Sequence, residues 1–126
     1  MRKIEFRIWI KGINKMYYPQ DLHSQIALSF DGKVRNYALL NANNFDNSKL
    51  ILMQFTGLKD MNGKEIYEGD IFNSPAGIKF YVFWWKDGWY YNNTRDLPEH
   101  PIGRLSEIAK DWKIIGNIYE NPELIK

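Results

Sequence analysis

Apolar and polar side chains alternate at the start of the chain. Every even-numbered residue between Ile4 and Ile10 is apolar, whereas Glu5 and Arg7 between them are charged. A period of two is typical of a β-strand with one buried face. The side chains predicted to be buried are therefore Ile4, Phe6, Ile8 and Ile10. Gly12 to Lys15 predicts a turn, from which Met16 to Tyr18 returns as the second arm of a hairpin.

An Asp-Gly pair predicts a second hairpin in the first half of the chain. Residues 22–30 and 33–40 flank Asp31-Gly32, and Asp and Gly both tolerate the positive φ that a two-residue turn demands. The Asn-rich segment Asn41 to Ser48 predicts a loop, because its side chains compete for backbone hydrogen bonds. Leu50 to Phe55 is a short apolar run and predicts a buried strand.

The last third of the chain predicts an aromatic hairpin, a short helix and a final strand. Ile78 to Trp85 and Trp89 to Tyr91 flank Lys86-Asp87-Gly88, another Asp-Gly turn. Between Ile102 and Trp112, apolar residues recur at helical spacing, and Lys113 to Tyr119 follows as a strand. The inward residues of the predicted helix are Leu105, Ile108, Ala109 and Trp112.

These elements predict one domain of the α+β class, predominantly antiparallel β, over residues 1–126. Residues 1–50 are predicted to form an N-terminal β-hairpin region, and residues 51–126 the later part of the domain. A chain of 126 residues buries roughly two-thirds of its unfolded surface, which is enough for a core without cross-links.

Three glycines and four carboxylates lie between Phe55 and Phe72. Asn62-Gly63 and Gly69 are predicted to be turn positions, since these residues tolerate the left-handed region. Paired carboxylates can also divide acid and base roles or hold a hard cation, and the candidates are Glu65, Glu68 and Asp70. No nucleophile, histidine or phosphate loop accompanies them in the sequence. The segment is therefore predicted to shape the fold, with no catalytic, cofactor-binding or metal-binding residue.

Composition and charge exclude several kinds of site. The chain has no cysteine, so it can form neither a disulfide nor a thiolate metal site, and a cytoplasmic location is the default expectation. The N-terminal residues lack the apolar core of a signal peptide, and no run is long enough for a membrane span. His23 and His100 lack zinc-ligand spacing. The net charge of +2 is too small to predict binding to nucleic acid or membranes.

The segment Phe80 to Tyr91 is apolar on both faces if it forms a strand and a turn. One face must then be covered by other parts of the chain, by a second copy, or by a ligand such as a stacked base. The candidate interaction surface comprises Tyr81, Phe83, Trp85, Trp89 and Tyr90. A basic rim for nucleic acid would come from Lys79, Lys86, Arg95 and Arg104. The acidic residues Asp87, Asp96 and Glu99 lie among them and weaken such a groove.

Three blocks of sequence resemble the YopX family of phage and prophage proteins. They are MRKIEFRIWIKGINKMYY at the start, QFTGLKDMNGKEIYEGDIF from Gln54 to Phe72, and IIGNIYENPEL from Ile114 to Leu124. The resemblance implies a small cytoplasmic protein encoded by bacteriophage or prophage DNA, with a β-rich fold. Its later part, residues 51–126, would then be a small barrel that resembles an SH3 barrel and closes near Ile114 to Tyr119. It implies no established activity, cofactor or catalytic residue.

The expected function is that of a non-enzymatic phage or prophage accessory protein, working as a self-associating protein-binding module. A homo-oligomer is the expected assembly, with a host or phage protein as a further partner and no membrane. The alternative is a nucleic-acid-binding module that uses exposed aromatic rings and local Lys and Arg. A carboxylate-dependent enzyme is the third class considered.

Overall fold

The computed structural model describes residues 3–18, 26–28, 34–36, 49–93 and 101–125. The chain divides into two compact units, one of Glu5–Met53 and the other of Met1–Ile4 with Gln54–Lys126. This division lies close to the predicted internal boundary at residue 50, while the single-domain prediction stays a prediction. Short 3₁₀ turns occur at Leu105–Glu107 and Pro122–Leu124.

The described elements are predominantly antiparallel strands, as predicted. They are β1 (Phe6–Ile10), β2 (Lys15–Tyr17), β3 (Ile26–Leu28), β4 (Val34–Asn36), β5 (Leu50–Lys59), β6 (Glu65–Tyr67), β7 (Asp70–Asn73), β8 (Lys79–Trp85), β9 (Gly88–Asn92), β10 (Gly103–Arg104) and β11 (Lys113–Asn117). Among the described residues, seven pairings are antiparallel, namely β1–β2, β3–β4, β5–β6, β7–β8, β7–β11, β8–β9 and β9–β10.

In the unit of residues 5–53, β1 and β2 form the predicted N-terminal hairpin, with Ile8 opposite Tyr17 and Ile10 opposite Lys15. Its turn contains Gly12 at φ +93° and Asn14 at φ +52°. The second predicted hairpin is also present, because Leu28 of β3 pairs with Val34 of β4. Its Asp31-Gly32 turn and the predicted loop from Asn41 to Ser48 lie outside the described residues.

The one-faced pattern predicted for β1 is wrong. Arg7 is 1% exposed and Trp9 is buried, although both lie on the face predicted to be polar, and Ile4 is 67% exposed. Arg7 Nη1 donates a hydrogen bond to the Tyr18 hydroxyl at 3.3 Å, and its guanidinium lies 5.8 Å from the centre of that ring. A long side chain of this kind can be buried when its apolar stem packs and its head finds partners.

In the second unit, five strands form a sheet in the order β10-β9-β8-β7-β11. β6 pairs with the later part of β5, and a two-residue turn at Glu68-Gly69 leads from β6 into β7. Gly57, at φ +87°, lies where the β5–β6 register shifts between Phe55 and Lys59, so it forms a bulge that bends β5.

Each face of the five-stranded sheet packs against its own apolar cluster. On the first face, Phe72 and Val82 are buried with other parts of the unit, namely Ile66, Leu105, Ala109 and Ile114. The Trp112 ring stacks on Phe80, with 5.1 Å between ring centres. On the second face, Ile71 and Tyr81 pack against the C-terminal residues Ile115, Ile118, Leu124 and Ile125.

The helix predicted between Ile102 and Trp112 is wrong in type. The structure has the short strand β10, a 3₁₀ turn and further turns in this segment. Leu105 and Ala109 are buried, and Ile108 and Trp112 pack against them, so the inward residues were identified correctly. Consecutive turns bring residues three and four apart onto one side, which is why the spacing resembled that of a helix.

The turn after β11 depends on a glycine for space. Asn117 is buried, and its Oδ1 accepts hydrogen bonds from the amides of Tyr119 and Glu120. Asn121 Oδ1 in turn accepts a hydrogen bond from the Asn117 amide at 3.2 Å. A Cβ on Gly116 would overlap Asn121 Oδ1. Any larger residue at position 116 would therefore have to displace the Asn121 side chain from the turn.

We expect Gly116→Ala to lower the free energy of unfolding by about 1–3 kcal/mol, because the added methyl group displaces the Asn121 amide. Asn121→Ala should cost about 1 kcal/mol through the lost hydrogen bond. The double variant should cost less than the sum, since the methyl group then has room. Urea unfolding of the four proteins measures the coupling, and strictly additive costs would show that the two residues do not meet.

The predicted turn glycines differ in their outcome. Gly63 and Gly69 have φ of +80° and +88°, so the Asn62-Gly63 and Gly69 predictions are confirmed. The prediction for Asp87-Gly88 is wrong by one residue, because Trp85 pairs with Gly88 and leaves Lys86-Asp87 as the turn. Lys86 carries the positive φ, +53°, and Gly88 begins β9.

Gly63→Ala should therefore destabilise the protein by about 1–2 kcal/mol, the cost of holding a side chain at positive φ. Gly88→Ala should cost less, because its Cβ would lie 3.3 Å from Arg104 Nη1, at the end of a side chain that can move. Thermal unfolding of both variants makes the comparison. A larger cost at Gly88 would contradict the observed turn register.

Candidate functional site

The aromatic hairpin of β8 and β9 has a buried base and a more exposed tip. The base comprises Phe80 to Val82 of β8 with Tyr91 and Asn92 of β9, all buried. β7 pairs with β8 at residues 79–81, and β10 pairs with β9 at Tyr90 and Tyr91. We call Phe83 to Tyr90 the hairpin tip. Most of its residues have no pairing strand on the outer side of the ribbon among the strand pairs that the structure describes.

The second apolar face of this hairpin is covered at its base by the chain itself. Tyr81 is 6% exposed and packs with Ile71 and Ile125, and Phe83 packs at the edge of the same cluster. The C-terminal segment thus covers the face whose partner the sequence left open. No second copy is required to cover the base.

The hairpin tip carries two pairs of aromatic rings on opposite faces. Trp84 lies opposite Trp89, with ring centres 5.1 Å apart and the rings nearly perpendicular at 76°. On the other face Trp85 meets Tyr90 at 5.3 Å and 85°. Edge-to-face contacts of this kind restrict the movement of both rings without burying either ring completely. Trp84 is nevertheless 51% exposed, so its ring is available to a partner.

The charges at the tip are mixed. Arg104 Nη2 lies 3.2 Å from Asp87 Oδ2, and its guanidinium lies 5.0 Å from the centre of the Tyr90 ring. The Tyr90 hydroxyl donates to Asp87 Oδ1 at 2.7 Å. That hydrogen bond lowers the pKa of Asp87, and Arg104 lowers it further. The same hydrogen bond raises the pKa of Tyr90, although the Arg104 charge opposes this rise. Lys86 Nζ lies 4.5 Å from the centre of the Trp85 ring.

The predicted interaction surface is only partly exposed. Tyr81 and Tyr90 are buried, Phe83 and Trp85 are half-buried, and Trp89 is half-buried on the opposite face. The most exposed ring, Trp84, was missed. The signal in the sequence was the position of Trp84, one residue before the predicted end of its strand. At that point a hairpin extends beyond the strands on either side of it. Of the predicted basic rim, Arg95 lies outside the described residues.

The three candidate carboxylates do not form one site. Glu65 makes an exposed ion pair with Lys3 at 3.1 Å, and Glu68 is half-buried in a turn. Asp70 is almost fully buried and its Oδ2 accepts a hydrogen bond from the Tyr67 amide at 2.7 Å. Asp70 therefore holds the turn between β6 and β7.

Asp60, which the sequence analysis did not single out, accepts three hydrogen bonds from backbone amides. It is 5% exposed. Its Oδ1 accepts hydrogen bonds from the amides of Asn62 and Lys64, both at 2.9 Å. Its Oδ2 accepts one from the Ile114 amide of β11 at 3.0 Å, across 54 residues of sequence. One side chain thus shapes the turn after β5 and fixes it to β11.

The surroundings of Asp60 act on its pKa in opposite directions. Burial raises the pKa, but the amides of Ile114, Lys64 and Asn62, together with the Lys64 charge, lower it below 3.8 overall. Because the folded pKa is the lower one, the ionised carboxylate stabilises the fold above pH 3.8. That contribution is lost as the pH falls below 3.8 and through the folded pKa.

Asp60→Asn should lower the free energy of unfolding at neutral pH by about 1–3 kcal/mol, because an amide NH₂ replaces one of the accepting oxygens. The difference from the unmodified protein should shrink as the pH falls below 3.8. Urea unfolding at a series of pH values measures it, with the exposed Asp111→Asn as control. An Asp60→Asn cost that does not change with pH would contradict a stabilising ionised carboxylate.

The described residues contain no group of three or more His, Asp or Glu side chains placed to hold a metal ion. His23 and His100 lie outside the part of the chain that the structure describes. Within that part, no helix has both the length and the hydropathy needed to span a membrane.

Comparison with known proteins gives a family and similar solved structures. The YopX protein family matches residues 5–126. The crystal structure of protein EF1440 from Enterococcus faecalis is similar at a TM-score of 0.63 and 24% sequence identity, over 100% of both chains. At this identity the likeness concerns the fold alone. No curated protein sequence matches the chain.

Proposed function

The chain belongs to the YopX family, as its three sequence blocks predicted, and we propose that it is a non-enzymatic phage or prophage accessory protein that binds proteins and self-associates. The contact surface is the hairpin tip from Phe83 to Tyr90. The observation that carries the proposal is Trp84, a large ring that is 51% exposed and held in place by Trp89.

Rigid aromatic rings are favourable contact groups in protein interfaces because they bury much area and lose little conformational freedom. The tip offers the exposed ring of Trp84, and its one carboxylate, Asp87, is paired with Arg104. A second copy would therefore meet apolar surface without strong repulsion. A host or phage protein is a further partner for the same rings.

The alternative function, binding of single-stranded nucleic acid, is supported by Lys86 and by the exposed Trp84 ring. Bases stack on such rings, and nearby cations bind phosphates. Two arrangements weaken it. Lys86 lies over the Trp85 ring, and Arg104 is already paired with Asp87. Association between proteins therefore remains the first proposal.

Four further properties belong to the proposal. An SH3-like barrel in residues 51–126 would agree with the bulged β5 and the short antiparallel strands β7 to β11. Phage or prophage origin follows from what the YopX resemblance implies, and a cytoplasmic location from the lack of cysteine. The absence of a catalytic role is proposed because Asp60 and Asp70 accept hydrogen bonds from backbone amides and Glu65 pairs with Lys3.

Light scattering with size-exclusion chromatography over a range of concentrations tests the association. The mass should exceed the 15.0 kDa of one chain and fall toward it in Trp84→Ser. Ile78→Ser is the matched control, because Ile78 is 48% exposed and lies just before the other end of β8. A monomer at every concentration, or an equal effect of Ile78→Ser, would count against the tip. Tyr81→Glu should instead unfold the protein, since Tyr81 belongs to the core.

Fluorescence anisotropy with single-stranded DNA and RNA decides the alternative. Under the first proposal neither oligonucleotide binds, and association changes little with salt. Binding that weakens steeply as salt rises, and that is reduced in both Lys86→Gln and Trp84→Ser, would favour the nucleic-acid module instead. Near-ultraviolet circular dichroism of each variant shows whether it has kept its fold.

A further inference from the structure

Asn62-Gly63 is the only Asn-Gly pair in the chain, and it carries a chemical liability that the proposed function does not involve. Glycine presents no side chain to shield its backbone nitrogen. In a flexible chain that nitrogen can attack the side-chain carbonyl carbon of the preceding asparagine. Both residues are exposed to water in the folded protein, so nothing covers the Asn62 amide from solvent.

The geometry of the turn opposes this attack. The Gly63 amide donates to the Asp60 carbonyl oxygen at 3.0 Å, so its nitrogen is already engaged. The amides on either side of Gly63, those of Asn62 and Lys64, both donate to Asp60 Oδ1. The Asp60 amide closes the turn by donating to the Lys64 carbonyl oxygen at 2.8 Å. Four hydrogen bonds thus hold the backbone around the reacting nitrogen.

We propose that Asn62 is a deamidation site that the folded Asp60 turn keeps unreactive. In the reaction the Gly63 nitrogen gives its proton to solvent base and forms a bond to Asn62 Cγ. The bond from Cγ to Nδ2 breaks, and the amide leaves as ammonia after taking a proton from water. Water then opens the cyclic imide at either carbonyl, which gives aspartate or isoaspartate. No oxidant or cofactor takes part.

Two features of the turn raise the barrier to the first step. Loss of the Gly63 proton breaks the hydrogen bond to the Asp60 carbonyl. It also places a negative charge beside the Asp60 carboxylate, which repels it. Opening of the turn removes both obstacles, so the rate should follow the population of the locally opened turn.

The product of deamidation would change the structure of the Asp60 turn. Isoaspartate adds one carbon to the main chain between residues 62 and 63 and creates a new carboxylate near Asp60. The Lys64 amide would then no longer reach Asp60 Oδ1 in its present position, and the two carboxylates would repel each other. The link from Asp60 to Ile114 of β11 would be weakened in turn.

Incubation at mildly alkaline pH, followed by proteolysis and mass spectrometry of the peptide containing residue 62, tests the proposal. The unmodified protein, Asp60→Asn and Gly116→Ala are compared in buffer and in concentrated urea. In buffer the unmodified protein should react at least about tenfold more slowly than in urea. In buffer, Asp60→Asn should deamidate almost as fast as the same variant does in urea. Gly116→Ala is destabilised outside the Asp60 turn. Its deamidation in buffer should therefore remain slow as long as the protein is folded.

Equal rates in buffer and urea for the unmodified protein would overturn the proposal, as would a folded Asp60→Asn that reacts no faster. If Asp60→Asn does not fold, amide hydrogen exchange of the unmodified protein decides the question. The Gly63 amide should then be protected to a degree similar to the slowing of deamidation. An unprotected Gly63 amide together with slow deamidation would show that the Asp60 turn is not the cause.

Discussion

One buried carboxylate, that of Asp60, connects two segments of the second unit that are far apart in the sequence. Asp60 accepts hydrogen bonds from two amides of its own turn and from the Ile114 amide of β11. The next residue adds a second link, because the Met61 amide donates to the Trp112 carbonyl oxygen at 3.2 Å. Trp112 in turn stacks on Phe80, at the base of the aromatic hairpin. Hydrogen bonds to a charged acceptor are stronger than hydrogen bonds between neutral groups. Removal of such a buried acceptor leaves its three amide donors without a partner and destabilises the fold.

The same contacts protect the edge of the five-stranded sheet. β11 is an outer strand, and unpaired amides on such a strand invite pairing with other chains. Here the Ile114 amide donates to Asp60 and the Asn117 amide donates to Asn121. Side chains therefore take the place of a further strand. Pairing of a further strand with this edge is disfavoured at Ile114 and Asn117.

The aromatic hairpin shows how one ribbon can serve both the core and the surface. At its base the two faces are covered by different segments, Leu105 to Ile114 on one side and Ile115 to Ile125 on the other. Near the tip these covering segments end, and Trp84 is left half exposed against Trp89. Aromatic rings occur along the whole hairpin, at its base and at its tip. The function proposed for the tip thus depends on where the covering segments end and leave a ring exposed.

Local signals in the sequence determined β1 to β5, the aromatic hairpin of β8 and β9, the last strand β11, the left-handed turns at Gly63 and Gly69, and the family. They did not predict β6, β7 or β10. The predicted features depend on neighbouring residues, through the period of two and the freedom of glycine at positive φ. Other features were decided only by tertiary structure. Arg7 is buried because Tyr18 packs against it, Leu105 to Trp112 forms turns under the sheet, and Asp60 finds its third donor 54 residues away. The exposure of Trp84 likewise depends on where distant segments end, since burial and long-range hydrogen bonds are properties of the folded arrangement and leave no local pattern in the chain.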